Sequence, residues 1–186
     1  LRNIFVDVLE QQKDTDDKMM RGIKEYISDA VESETVFIEG HKTPHYLYRL
    51  YEYIKESFNL DDSMDYSWRR ETEVPPSKFN FEVKRGEKMV LIYKGLLFIS
   101  SKENPDERYA IWMTPYDEDL GLEMEIFYDC GREQFKNRKD SFIESFNEKH
   151  PLKNEIVDSK WKYLDVKDVG WDEIILSDEQ RKIINR

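Results

Sequence analysis

The chain reads as an α+β fold with N-terminal helices, a central, mostly antiparallel sheet, a long helix packed on that sheet, and a C-terminal linker. Three observations predict it. Apolar residues recur at helical spacing over the first 60 residues, the period drops from about 3.6 to 2 between Tyr66 and Tyr128, and helical spacing returns from roughly residue 131 to 148. With 39% hydrophobic and 13% aromatic residues in 186, the chain has enough apolar surface for a core despite 37% charge. The division that follows is a helical N-terminal part over 1–60, a sheet with its packed helix over 66–165 in the same domain, and a linker over 166–186.

Ile4, Phe5, Val8 and Leu9 share one helical face, and a second run carries Met19, Met20, Ile23, Tyr26, Ile27, Ala30 and Val31. Thr35 to Ile38 is a short β-rich piece. Thr43 is placed to cap a third helix with Pro44 at its first position, and Tyr46, Leu47, Leu50, Tyr51, Ile54 and Phe58 run down one side. Tyr46, Tyr48, Tyr51 and Tyr53 are spread around that helix by its 3.6-residue turn, so some of them are expected to be exposed or to meet a partner. Asn59 to Asp65 is polar and is expected to turn.

Beyond it, Trp68 to Val74 reads as a strand ended by Pro75-Pro76, and Phe79, Phe81 and Val83 alternate with polar neighbours. Arg85-Gly86-Glu87 turns the chain into Met89 to Tyr93, and Lys94-Gly95 is expected to turn it again into Leu96 to Ser100. Asn104-Pro105-Asp106 leads to Tyr109 to Thr114, and an acidic loop from Tyr116 to Gly121 leads to Leu122 to Tyr128. Short connections favour an antiparallel meander. Asp129 is placed to cap a helix from Gly131 to Glu148 that turns Phe135, Phe142, Ile143 and Phe146 to the sheet, with His150-Pro151 ending it. Trp161 to Val166 reads as a last strand.

The formal net charge of −11 argues against nucleic acid as a partner, because clustered cations supply most of that affinity. The richest basic stretch, Arg132 to Lys139, is interrupted by Glu133 and reads as a solvated helix face. No stretch approaches the roughly 20 apolar residues a membrane helix needs. One cysteine, Cys130, forms no internal disulfide and sits where a small half-buried residue is expected, between strand and helix; the reading is a cytoplasmic chain. His41 and His45 stand four apart, a metal-ligand spacing, but Pro44 starts the helix between them. Asp117-Glu118-Asp119 is an acidic loop without the glycine-spaced pattern of a calcium loop. No catalytic residue or metal site is predicted, and no G-x-x-x-x-G-K-[ST] motif occurs, so the chain has no phosphate-binding loop of that type.

At the C-terminal end, Ser177, Asp178, Glu179 and Gln180 form a helix start, with N-cap, acidic first turn and capping-box glutamine. Arg186 follows within two turns and the chain opens on Leu1, so it reads as a piece of a longer protein. The words Val169-Gly170-Trp171-Asp172-Glu173-Ile174 ahead of that charged helix resemble the segment preceding the nucleotide-binding core of AAA ATPases. Ile175 and Leu176 stand where many members have Gly-Gly. The resemblance implies an N-terminal substrate-recognition or regulatory domain of a homo-hexameric ATPase with chaperone-like, protein-remodelling activity. ATP and Mg would belong to an ATPase domain that follows, Glu173, Ile174 and Ile175 would lie near the adenine, and the partner would be a protein substrate. Lys78 to Pro151, with Gly131-Arg132-Glu133-Gln134-Phe135 opening the long helix, is similar in layout to the N-terminal domain of the AAA chaperones that move a folded protein across the mitochondrial inner membrane, without their membrane span. The contrasting expectation is a free-standing acidic interaction or inhibitor module steered by its charge.

Overall fold

A strand of 15 residues crosses the middle of the sheet, and the other elements are arranged along it. The computed structural model describes residues 17–67, 72–84, 86–116 and 121–150, all within one compact unit. Helix α1 occupies 17–26. It is followed by β1 (Glu32–Ile38), a 3₁₀ turn (Gly40–Lys42), α2 (Thr43–Ser57), β2 (Phe58–Ser67), β3 (Thr72–Val74), β4 (Ser77–Lys84), β5 (Glu87–Ser101), β6 (Arg108–Pro115), β7 (Leu122–Tyr128) and α3 (Arg132–Glu148). The strands form one sheet in the order β1-β7-β6-β5-β2-β3, with β4 also on β5, and every pairing is antiparallel. The fold is α+β.

The Lys94-Gly95 turn expected from the sequence does not form. Instead β5 runs straight through and changes partners there: Glu87 to Lys94 pairs with β4, while Gly95 to Ser101 pairs with β2 and β6. Gly95 is needed for space as well as for its backbone angle. At φ +142° it lies so close to neighbouring chain that a Cβ would fall 2.7 Å from the Pro76 Cβ and 2.8 Å from the Met64 carbonyl oxygen.

The polar stretch Asn59 to Asp65 is likewise strand, not turn. Its residues 58–64 pair with β5, and a bulge at Asp61 breaks the register between Leu60 and Asp62. Polarity misleads here because Asn59 to Asp62 are exposed on the strand. The bulge sets the Asp61 carboxylate to accept the Tyr26 hydroxyl, which ties α1 to the sheet.

Both faces of the sheet are covered. Leu97, Ile99, Ile111, Met113 and Met124 point toward α2 and α3, and Leu96, Phe98, Ala110 and Phe127 meet Ile23 of α1. The period of 2 in β5 and β6 therefore carries apolar residues on both sides. The strand β1, from the N-terminal 60 residues, joins β7 at the far edge, so the sheet is not a simple meander. The expected helical run through Val31 stops at Tyr26; Ile27 N–H closes the last turn on Ile23 and the Ser28 hydroxyl accepts from Ala30 N–H. Neither Thr43 nor Asp129 caps by its side chain. Thr43 is already the first residue of α2, with its hydroxyl donating back to the Glu39 carbonyl at 3.4 Å, and Gly131 at φ 79° takes the N-cap of α3. None of the four tyrosines of α2 is exposed: Tyr48 and Tyr53 are buried, and Tyr46 and Tyr51 are half-buried against the core. The helix is enclosed on two sides, which its own periodicity could not disclose. The predicted helix around Ile4 to Leu9, the strand from Trp161 and the linker 166–186 lie outside the described residues.

Gly95→Ala is expected to destabilise the protein by about 3 kcal/mol or more, since backbone strain and a clash with fixed chain add. Gly86→Ala, at φ 72° with open space around it, should cost about 1–2 kcal/mol. Urea unfolding of the two variants side by side measures the difference.

Candidate binding cavity and interaction edge

The helix α3 is held to the sheet mainly at its N-terminal end. Phe135 is its one fully buried residue, and its ring stacks on Tyr128 of β7 at 4.0 Å with the planes 5° apart. One turn on, Arg138 grips Glu107 with two bonds, Nε to Oε1 at 2.7 Å and Nη2 to Oε2 at 2.8 Å, and lies over the Phe58 ring at 5.8 Å. Glu107 is only 5% exposed and also accepts the Tyr109 hydroxyl at 2.6 Å. The Arg138 guanidinium holds its carboxyl below the usual carboxylate range. The Tyr109 oxygen sits 3.4 Å from the Cys130 Sγ, and burial pushes that thiol up, which disfavours a nucleophilic thiolate.

Toward its C-terminal half α3 stands less deeply in the core. Phe142 and Phe146 are half-buried and meet Tyr46 of α2 at 5.4 and 5.8 Å, while Ile143 is 44% exposed. Under this half lies a cavity of about 270 Å³. Its floor is Ile99, Ile111, Met124 and Ile126 of the sheet; Leu50, Tyr53 and Ile54 of α2 and Phe135, Phe142 and Phe146 of α3 form the sides, with Arg138 and Lys139 at the wall.

Beside the cavity, the ends of α2 and α3 share a polar cluster. Arg49 is buried and donates to the Ser145 hydroxyl at 3.0 Å. The His45 and His150 rings lie 6.3 Å apart, and His150 stands edge-on to Phe146 at 4.8 Å. Both imidazoles are held below their ordinary value of 6.5: His45 by burial and then by His150, against an opposing bond with the Val83 backbone, and His150 by burial and then by Arg49.

The other feature that faces outward is β1. It ends the strand order, paired among the described residues with β7 alone. Glu32 and Glu34 are drawn toward α3 by Arg132 at 2.9 Å and by Lys139. Phe37, on the opposite face, is 67% exposed and edge-on to Tyr116 at 6.0 Å, whose hydroxyl donates to the Ile38 carbonyl at 3.3 Å. Glu123 and Glu125 of β7 stand opposite Phe37 and Thr35.

The sequence motifs fall unevenly on this geometry. Gly131-Arg132-Glu133-Gln134-Phe135 opens α3, where Arg132 and Phe135 make the contacts above. Cys130 is half-buried between β7 and α3, and the basic stretch on α3 is largely engaged in ion pairs. His45 faces His150, and among the described residues no group of three or more His, Cys, Asp or Glu is arranged around a metal site; no described helix is long and apolar enough to cross a membrane. Glu173, Ile174 and Ile175, and the loop Asp117-Glu118-Asp119, lie outside the described residues. Glu107 and Arg138 were not singled out from the sequence, because 31 positions separate them and nothing local marks either. No family model, curated protein or solved structure matches the chain.

Arg138→Ala leaves the Glu107 carboxylate buried without its cation and should cost about 3 kcal/mol; adding Glu107→Gln should restore part of that, read by thermal or urea unfolding. The histidines set a separate pH window. Their folded values lie below 6.5, so the unfolded chain takes up protons that the folded one refuses; their contribution is intact above about pH 7 and falls as pH drops below 6.5. The slope should be at most about 1.4 kcal/mol per pH unit for each imidazole. Urea unfolding at pH 7.5 and 5.5 should show the loss, and His45→Gln should reduce it. Glu107 acts only below its ordinary 4.5.

Proposed function

We propose that this α+β unit is the substrate-recognition or regulatory N-terminal domain of a homo-hexameric AAA ATPase with protein-remodelling activity. Two features support the reading. The segment Val169 to Ile174 followed by a charged helix start resembles an AAA linker, and among the described residues β1 pairs on one side only, leaving a strand edge for a protein substrate. The carrying observation is that edge, with Phe37 67% exposed beside it. An extended segment of the substrate would add to β1 as a further strand, its main-chain groups pairing with the outer side of β1. Apolar and basic side chains would suit the face that carries Phe37, Glu123 and Glu125. In this reading Trp171 anchors the linker, Glu173, Ile174 and Ile175 lie near the adenine, ATP and Mg are held by the attached ATPase domain, and the assembly works in the cytoplasm.

The net charge of −11 favours a second reading, a free-standing acidic module that is steered onto a basic partner. The two separate on the coding sequence and on kinetics. The first requires a G-x-x-x-x-G-K-[ST] motif encoded after Arg186 and a hexamer of the full-length chain with ATP by mass photometry. The second requires neither, and association that slows steeply with added salt.

Phe37→Asp should weaken substrate binding by about tenfold, roughly 1.4 kcal/mol. It should leave stability within about 0.5 kcal/mol, because the side chain is exposed. Binding of the full-length protein to its captured substrate, followed by interferometry beside a melting curve, checks both.

A further inference from the structure

The cavity under the C-terminal half of α3 lies on the face of the sheet opposite Phe37, with Val36 of β1 among its lining residues. We infer that it is a binding site for one uncharged, hydrocarbon-like small molecule, of the alkylbenzene or short-alkyl class. One face of the sheet, α2 and α3 supply its walls, which are mainly aliphatic and aromatic, with the charges of Arg138 and Lys139 among them. Those two cations are already engaged: Arg138 by both oxygens of Glu107, Lys139 by Glu34. A ligand carboxylate reaching Arg138 would have to displace Glu107, which is buried and further held by Tyr109; at Lys139 it would compete with Glu34 in a pair that is partly exposed on both sides. A neutral ligand meets no such competitor, so the charge pattern selects against anions and offers nothing to a cation.

Size narrows the class further. A dry apolar cavity of about 150 Å³ takes up benzene, so 270 Å³ has room for a molecule of roughly ten carbons. Ile143, one of the lining residues, is 44% exposed and marks where the cavity reaches the surface.

The test uses n-butylbenzene and its anionic counterpart 4-phenylbutanoate, with the 186-residue chain labelled at Ile and Met methyls. The expected result is that n-butylbenzene raises Tm by several degrees and shifts the methyl signals of Ile99, Ile111, Met124 and Ile126. Ile23, on the other face of the sheet, should not move, and 4-phenylbutanoate should bind at least tenfold more weakly. Ile126→Trp, which fills the floor, should abolish the shifts, and Phe37→Asp should leave them unchanged. Absence of shifts at those four methyls, a response at Ile23 instead, or equal binding of the anion overturns the inference. If Ile126→Trp does not fold, the wild-type methyl map and the two-ligand comparison decide. A site that binds n-butylbenzene while Phe37→Asp has no effect on substrate capture would leave this inference standing and remove the edge reading.

Discussion

The passage of β5 through Gly95 is the constraint on which the rest of the described fold depends. One strand serves β4 with its first half and β2 and β6 with its second, so a real turn at that point would divide the sheet. Continuity requires Pro76 and the Met64 carbonyl to approach the β5 backbone closer than any side chain permits. With β5 unbroken, Leu97 and Ile99 are presented to α2 and α3, and Leu96 and Phe98 to α1, from adjacent positions of the same strand. The three-layer arrangement follows from that alternation.

The two faces are then closed by different means. On the α1 side, Tyr26 meets Phe98 edge-on at 4.8 Å and bonds Asp61 at the bulge, while Arg108 donates to the Tyr26 carbonyl at 3.0 Å. On the other side α2 is enclosed, but α3 offers a single fully buried residue and leans on an ion pair. A helix with few apolar residues cannot fill the space above Ile99, Ile111 and Met124, and the cavity is the result. The Arg138–Glu107 pair fixes where α3 sits more than it adds stability, since a buried pair largely offsets its own desolvation.

Charge follows the same division. The carboxylates of β1 that face α3 are taken up by Arg132 and Lys139, whereas Glu123 and Glu125 on the opposite face stand with Phe37 at the sheet's edge. The acidic surface and the exposed aromatic are therefore adjacent, and the apolar cavity lies on the other side of the sheet. Recognition of an extended chain and uptake of a small neutral molecule would use separate parts of one domain.

Periodicity in the sequence determined the fold class and the approximate spans of α2, α3 and most strands, because these depend on neighbours within a turn or a pleat; of the set Phe135, Phe142, Ile143 and Phe146 expected to face the sheet, Phe135 is buried and Ile143 is 44% exposed. It misjudged Lys94-Gly95 and Asn59 to Asp65: a glycine chosen for close approach looks like a turn, and polar residues exposed along a strand look like a loop. It also could not show that β1 joins β7, that α2 is enclosed on two sides, or that Glu107 and Arg138 meet. The cavity was invisible for the same reason. All of these are contacts between residues far apart in the chain, and only the packed tertiary structure decides which distant surfaces fit and which leave a gap.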